Sequence, residues 1–241
     1  MDIQSNLRRN GASCITTKSK SEIIYLNNLL YNEVDNICEY LKNKYLCNMP
    51  LLEIVHINRM TNRDAYEKLR LDNNDMRLYQ GYIDYPNYGI KPDGGIILLN
   101  HYNKEDDIVK TDIIFASELK RQGSNDKRFM EGKPKQAIGN AIERLGKNAK
   151  FISNLTENED IYPYMIFVSG CDVNEPFFLS KLIQSNNGRN INTYNLYKEN
   201  NQSCITFITQ EENFDSKTFR KYCIQMAEDS LLYYLKKNNN I

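Results

Sequence analysis

Pro92-Asp93-Gly94-Gly95 and Ser117-Glu118-Leu119-Lys120 stand at the two ends of what reads as one β-hairpin, and that reading decides the fold. Gly95 to Asn100 is strand-like, Asn103 to Asp107 is a polar turn, and Ile108 to Lys120 is a long strand. Side chains two apart on a strand share a face. Glu118 and Lys120 therefore point one way, while Leu119 points into the core. The midpoint between positions 93 and 118 falls at Glu105-Asp106, inside the turn. Asp93 is thus expected beside Glu118 at the open end of the ladder. Two carboxylates and one ammonium then converge on one patch.

That combination suits metal-assisted phosphodiester cleavage. Mg²⁺ is a hard ion that takes oxygen ligands and keeps several waters. Asp93 and Glu118 would hold it and leave positions for a phosphate oxygen and a water. Lys120 would orient the attacking water or help deprotonate it, and would stabilise the developing negative charge. Gly94 and Gly95 lack side chains, so a bulky polymer could approach the backbone there. Taken singly, a Pro-Asp step is an ordinary turn start and a Glu-x-Lys strand is an ordinary ion pair.

A second segment lies downstream, at Gly139-Asn140-Ala141-Ile142-Glu143-Arg144. Locally it reads as a helix start over about Asn140 to Ser153. Gly139 allows a bend, Asn140 is a good N-cap, and Glu143 completes a capping box. Ile142, Leu145, Ala149 and Ile152 form the buried stripe, and Asn140, Arg144, Lys147 and Asn148 share the other side. Arg and Asn make paired hydrogen bonds to base edges, and a helix N-terminus favours phosphate. Arg121, Lys127, Arg128, Lys133 and Lys135 lie just upstream. Positive charge is thus concentrated beside the proposed metal site, although Lys+Arg and Asp+Glu both number 31 in the whole chain.

That balance excludes a uniformly basic protein that coats nucleic acid. The 241 residues, 41% hydrophobic and 26% charged, suit one globular core. No apolar run approaches the roughly 20 residues of a membrane span. Met1-Asp2-Ile3-Gln4 opens no leader, and the 6 scattered Cys include no Cys-x-x-Cys pair, so reduced thiols in a cytoplasmic protein are expected. With only His56 and His101, a multi-histidine metal site is excluded. His56 reads as a packed residue.

The remaining elements follow from periodicity. Residues 1–20 are polar, with Arg8-Arg9, and read as a flexible N-terminal arm or one that touches phosphate. Ser21 to Cys47 is a helix with Ile23, Leu26, Leu30, Val34, Ile37 and Leu41 on one stripe. Leu51 to Ile57 is a short strand, Thr61 to Leu71 a weaker helix, and Gln80 to Lys91 a loop. Tyr164 to Ser169 is a buried strand, Pro176 to Ile183 a short helix, and Asn186 to Asn201 an asparagine-rich loop. Cys204 to Thr209 is a strand. Ser216 to Lys237 is a closing helix with Phe219, Cys223, Met226 and Tyr233 on one side. The expectation is a single α/β domain over 1–241, with a mixed central β-sheet flanked by helices.

Taken in order, Ile90-Lys91-Pro92-Asp93-Gly94-Gly95-Ile96, Glu118-Leu119-Lys120-Arg121-Gln122-Gly123 and Gly139 to Arg144 with Lys147-Asn148 resemble the EcoRI-like type II restriction endonucleases. These form a branch of the PD-(D/E)xK nucleases, and the likeness is closest over residues 75 to 170. The resemblance implies a restriction-endonuclease-like fold and a homodimer that cleaves double-stranded DNA at a palindrome containing AATT. It implies 5′-phosphate ends with four-base 5′ overhangs, and a cognate DNA methyltransferase in the same restriction–modification system. It makes Asp93, Glu118 and the Leu119 carbonyl the Mg²⁺ ligands and Lys120 the catalytic lysine. Asn140, Ala141 and Arg144 would read bases, with Glu143 bracing Arg144. Gly139, Lys147 and Arg121 fall on the same DNA-binding surface. Residues 121–139 would form a DNA-wrapping arm and an extended recognition segment.

Related enzymes that select G·C at the outer pair use C-terminal arginines. Here Asn186 to Ser203 holds only Arg189, so the outer base pairs stay open. Besides a cytoplasmic domain whose acidic pair is only structural, two other readings remain. One is a repair or structure-selective PD-(D/E)xK nuclease. The other is a non-catalytic DNA-binding protein of the same fold.

Overall fold

The asparagine-rich stretch near the N-terminus is helical because its apolar residues outweigh its asparagines. The computed structural model describes residues 17–69, 84–105, 107–121, 138–170 and 173–238. Its first helix, α1, spans Thr17–Tyr45. Asn27, Asn28, Asn32, Asn36 and Asn43 each cost up to roughly 0.7 kcal/mol of helix propensity relative to alanine. Leu26, Leu30, Val34, Ile37 and Leu41 are buried along one side. Each such burial contributes about 1.5–3 kcal/mol, so packing decides. Residues 17–20 belong to this helix rather than to an N-terminal arm. The rest of the expected arm lies outside the described residues.

The strands are β1 (Leu52–Ile57), β2 (Met60–Thr61), β3 (Gly89–Ile90), β4 (Ile96–Tyr102), β5 (Ile108–Arg121), β6 (Tyr164–Ser169) and β7 (Thr206–Gln210). The further helices are α2 (Asn62–Leu69), α3 (Ile138–Leu155), α4 (Pro176–Ser185) and α5 (Ser216–Lys237). The main sheet has the order β1-β4-β5-β6-β7. It is antiparallel across β1, β4 and β5, and parallel across β5, β6 and β7. The expected single α/β domain with a mixed sheet between helices is what the described residues form. β2 and β3 make a separate two-residue pairing, with β3 in the stretch read as a loop and Thr61 of β2 at the start of the stretch read as a helix. Two residues are too few to show a period.

Helices cover both faces of the sheet. α1 and α5 pack on one side, against Ile97, Leu99, Phe115, Leu119, Met165 and Phe167. α2, α3 and α4 pack on the other, against Ile96, Leu98, Ala116, Ile166 and Val168. Central strands covered twice lose their alternation. Every residue of β6 is buried, as is the run Thr111 to Leu119 of β5. That hides a register detail. A bulge between Ile97 and Leu98 slips the β4–β5 pairing, so that Ile96 faces Ala116. Carried to the base of the hairpin, this places Leu119, not Glu118, directly across from Asp93.

α3 starts at Ile138, so Asn140 lies inside the helix rather than at its N-cap. The capping-box reading therefore fails, and Ile138 is helical rather than extended. On α5, Asp215 caps the N-terminus by accepting a hydrogen bond from the Thr218 amide at 2.7 Å. Tyr234 is the buried tyrosine of that helix. Tyr233 sits at its edge, bonded to Glu159.

The asparagine-rich stretch is built into the fold. β7 is an edge strand, whose outer backbone groups need partners. Asn186 supplies two: its side-chain oxygen accepts from the Ile205 amide at 2.6 Å, and its nitrogen donates to the Ile205 carbonyl at 2.8 Å. Asn192 accepts from the Thr209 amide and donates to the Thr209 hydroxyl. Asn195 donates to the Ile205 carbonyl, and its own amide donates to the Thr206 hydroxyl. Asn187, Asn192, Asn200 and Asn201 take positive φ values of 50–61°. Asparagine tolerates that region better than other side chains. Arg189 forms an ion pair with Glu199 within the same stretch.

Of the described cysteines, Cys38, Cys204 and Cys223 are buried and Cys47 is exposed, all with free thiols. Among the described residues no helix is long and apolar enough to cross a membrane.

Candidate active site

The site begins with a turn that the chain pins from behind. The Gly95 amide donates to the Pro92 carbonyl at 3.0 Å, closing a four-residue turn. The Gly94 amide donates to the Ser117 carbonyl at 2.9 Å, extending the β4–β5 ladder. His56 bonds the Gly94 carbonyl through Nε2 and Asp35 through Nδ1, each at 3.0 Å. Its ring rests on Tyr31, with centroids 4.4 Å apart. His56 is thus a packed brace, as its apolar neighbours suggested.

The two glycines answer to the protein interior, not to a ligand. Both are buried. A Cβ on Gly94 would collide with Ser117 Oγ and Leu30, and one on Gly95 with His56 and the Ile57 carbonyl. Gly95 also has φ of 74°. The expectation that these positions open the backbone to a polymer is therefore corrected: they open it to α1 and β1.

The turn delivers Asp93 to the end of β5. Its Oδ2 accepts from the Leu119 amide at 3.2 Å and lies 3.4 Å from Lys120 Nζ. In effect the carboxylate caps the strand where β4 has turned away. Its Oδ1 accepts from Asn27 of α1 at 3.0 Å. Burial pushes the Asp93 carboxyl above its ordinary range; Lys120 pulls it down and Glu118 adds to the rise.

Glu118 arrives from the other face. It is 4% exposed. Its Oε1 is paired with Lys120. Its Oε2 accepts from the Tyr164 hydroxyl of β6 at 2.5 Å and from Asn148 of α3 at 2.8 Å. Burial and the adjacent Glu118 hold the Tyr164 hydroxyl well above its usual range, so it is a firm donor. Burial works against the Lys120 ammonium, but Glu118 and Asp93 outweigh it and raise its pKa. The two carboxylates thus hold Lys120 as an ammonium between them. Asp93, Glu118 and Lys120 are brought together as the sequence predicted.

Asn27 and Tyr164 were not foreseen. Asn27 lies next to the buried stripe of α1, where a polar residue reads as solvent-facing. Tyr164 reads simply as core. Asn148 was placed with the outward side chains of α3, but its amide points at Glu118. Lys147 is exposed beside it. Arg121 ends β5 half-buried, and strand alternation puts it in the Leu119 series, away from α3. Gly139, Asn140, Ala141, Glu143 and Arg144 lie in the first turns of α3, and their side chains are outside the described residues. Of the arm and recognition segment expected over residues 121–139, residues 122–137 also lie outside the described residues. A cleft of about 400 Å³ opens beside Asp93, lined in part by Asn27, Asn28, Tyr31, Asn58 and Lys91.

The donor set suits a hard divalent ion. Among the described residues no three His, Cys, Asp or Glu side chains cluster to hold a metal. Two carboxylates converge, however, with a shared cation already drawn between them. In a strand the amide and carbonyl of one residue face the same edge. The Leu119 carbonyl is thus presented on the side where Asp93 sits.

Comparison with known proteins places the chain among its relatives. A family model described as restriction endonuclease EcoRI matches residues 26–231. The type II restriction enzyme RsrI of Cereibacter sphaeroides is 33% identical over 131 residues, which cover 50% of this chain and 44% of that protein. The type II restriction enzyme EcoRI of Escherichia coli is 33% identical over 98 residues, 37% of this chain and 34% of that protein. The matched stretch thus spans less than half the length of these curated relatives.

Proposed function

The chain belongs to the EcoRI family of restriction endonucleases, and from that membership we propose that it is a type II site-specific deoxyribonuclease. It cleaves double-stranded DNA at a palindrome containing AATT, requires Mg²⁺, and leaves 5′-phosphate ends with 5′ overhangs. The observation that carries this reading is the contact of one ammonium, Lys120, with both Asp93 and Glu118 at the end of β5.

Asp93, Glu118 and the Leu119 carbonyl would hold the ion. When bound, Mg²⁺ stabilises charge on the phosphate and lowers the pKa of water. Lys120, already cationic, orients the attacking water and offsets the charge that builds on the phosphoryl oxygens. Tyr164 and Asn148 keep Glu118 turned toward the cluster. Asn27 does the same for Asp93. The N-terminal turns of α3, with Asn140, Ala141 and Arg144, read bases in the major groove, and Lys147 meets phosphate. Glu143 braces Arg144. A palindromic site calls for two-fold symmetry, hence a homodimer. The enzyme works in the cytoplasm beside a methyltransferase that shields host sites.

The test is direct. Phage DNA incubated with the protein and Mg²⁺ should give discrete fragments whose sequenced 5′ ends begin in one AATT-containing consensus. Chelation by EDTA should stop the reaction. Random ends would point to another nuclease of this fold. Uncut DNA would overturn the reading.

A further inference from the structure

Asn148 occupies a position where recognition and chemistry meet. It lies on α3, eight residues beyond Asn140 and one helical turn beyond Arg144, or about 12 Å along the axis from the former. Its side-chain nitrogen donates to Glu118 Oε2 at 2.8 Å. The next residue, Ala149, offers its carbonyl to the Tyr162 hydroxyl at 2.7 Å. These two adjacent contacts seat α3 on β5 and on the segment that leads into β6. The other donor to Glu118 Oε2, Tyr164, is buried in β6 and fixed to the sheet. Glu118 Oε2 is thus held by one donor that cannot move and one that moves with α3. The opposite oxygen, Oε1, is left facing Lys120.

We infer that Asn148 is a positioning residue that ties the seat of α3 on DNA to the orientation of Glu118, so that it governs the rate of cleavage and its site discrimination rather than the affinity for DNA. This rests on the nuclease reading above. When the bases fit, α3 keeps its register and Asn148 holds Glu118 square to the cluster. When a base pair is wrong, a small displacement of the rigid helix breaks a 2.8 Å bond. Oε2 is then held by Tyr164 alone, while Oε1 stays with Lys120.

The experiment uses a duplex bearing the site that end-sequencing identifies, and a second duplex with one base pair changed. Binding is measured in metal-free buffer, and single-turnover cleavage is measured at saturating protein with Mg²⁺. Asn148→Ala should bind the first duplex as the unaltered protein does. It should cleave it on the order of 10–100-fold more slowly, the usual penalty for losing a partner of a metal-binding side chain. The ratio of cleavage rates between the two duplexes should shrink. Asn148→Asp, of equal size, keeps α3 filled while setting one carboxylate against another, and should cleave more slowly still. Parallel loss of binding and cleavage would overturn the inference and make Asn148 a DNA contact. A full rate with unchanged discrimination would overturn it too. Failure of the unaltered protein to cut any DNA would instead sink the nuclease reading, and this inference with it.

Discussion

The base of the β4–β5 hairpin and the asparagine stretch over residues 186–203 both look polar on paper, yet they use polarity in opposite ways. At the hairpin base, polar groups are brought together against their own solvation. Asp93 is raised by burial, and Glu118 is almost wholly enclosed. Such a cluster gains little for the fold and is poised for something outside it. In the asparagine stretch, side-chain amides replace a missing sixth strand along β7. They stabilise the edge. Polar composition alone does not mark a site; what matters is whether the polar groups are charges gathered around one ammonium or neutral amides bonded to a strand's backbone.

Substitutions can break or sharpen that contrast. Glu118→Gln should have the largest effect. Losing charge stabilisation worth several kcal/mol should slow cleavage roughly a thousandfold or more, while a gel-shift assay still shows specific DNA binding. Next comes Tyr164→Phe, which removes a hydrogen bond to a charged acceptor worth about 1.5–3 kcal/mol. Single-turnover cleavage should fall roughly tenfold to a hundredfold. Asn186→Ala should do the reverse. It strands the Ile205 amide and carbonyl, and urea unfolding should show a loss of about 1–3 kcal/mol. Its cleavage rate per folded molecule should match the parent. A slowed rate at full stability would give the asparagine stretch a part in the chemistry.

The smallest effect belongs to Asp215, the cap of α5. The hydrogen bonds from Thr218 hold its carboxyl below the usual range. Its contribution is therefore fully present above the ordinary carboxylate pKa and disappears as pH falls through the lowered one. Asp215→Ala should lower the urea midpoint slightly at neutral pH. The gap from the parent should close as acidification passes through that lowered pKa.

How much of this could be read from residues alone depends on what each residue answers to. The hairpin was legible because its turn, Asn103 to Asp107, is polar and its arms are apolar. Asp93, Glu118 and Lys120 followed from that symmetry. The exact pairing did not. Strands covered on both faces carry no alternation, so the slip at Ile97 was silent and Leu119 took the place across from Asp93. The closing helix was legible to its ends, because Asp215 and a long apolar stripe fix them. Asn27 lies 66 residues from the carboxylate that it holds. No local period reports a contact of that kind. Gly94 and Gly95 were noticed for the right reason, close approach, but assigned the wrong neighbour.

The far tip of the hairpin has a practical consequence. Asn103 closes it locally: its side-chain oxygen accepts from the amides of Glu105 and Asp107, and its own amide bonds the Asp107 carbonyl. Some ten residues of β5, roughly 30 Å at strand spacing, separate this point from Glu118. A one-residue insertion in β5 ahead of Glu118 would turn the preceding residues to the opposite face relative to it. Extra chain spliced in at the tip would leave every arm position where it is. It is the natural place to graft a fluorophore tag or a second binding module onto the protein.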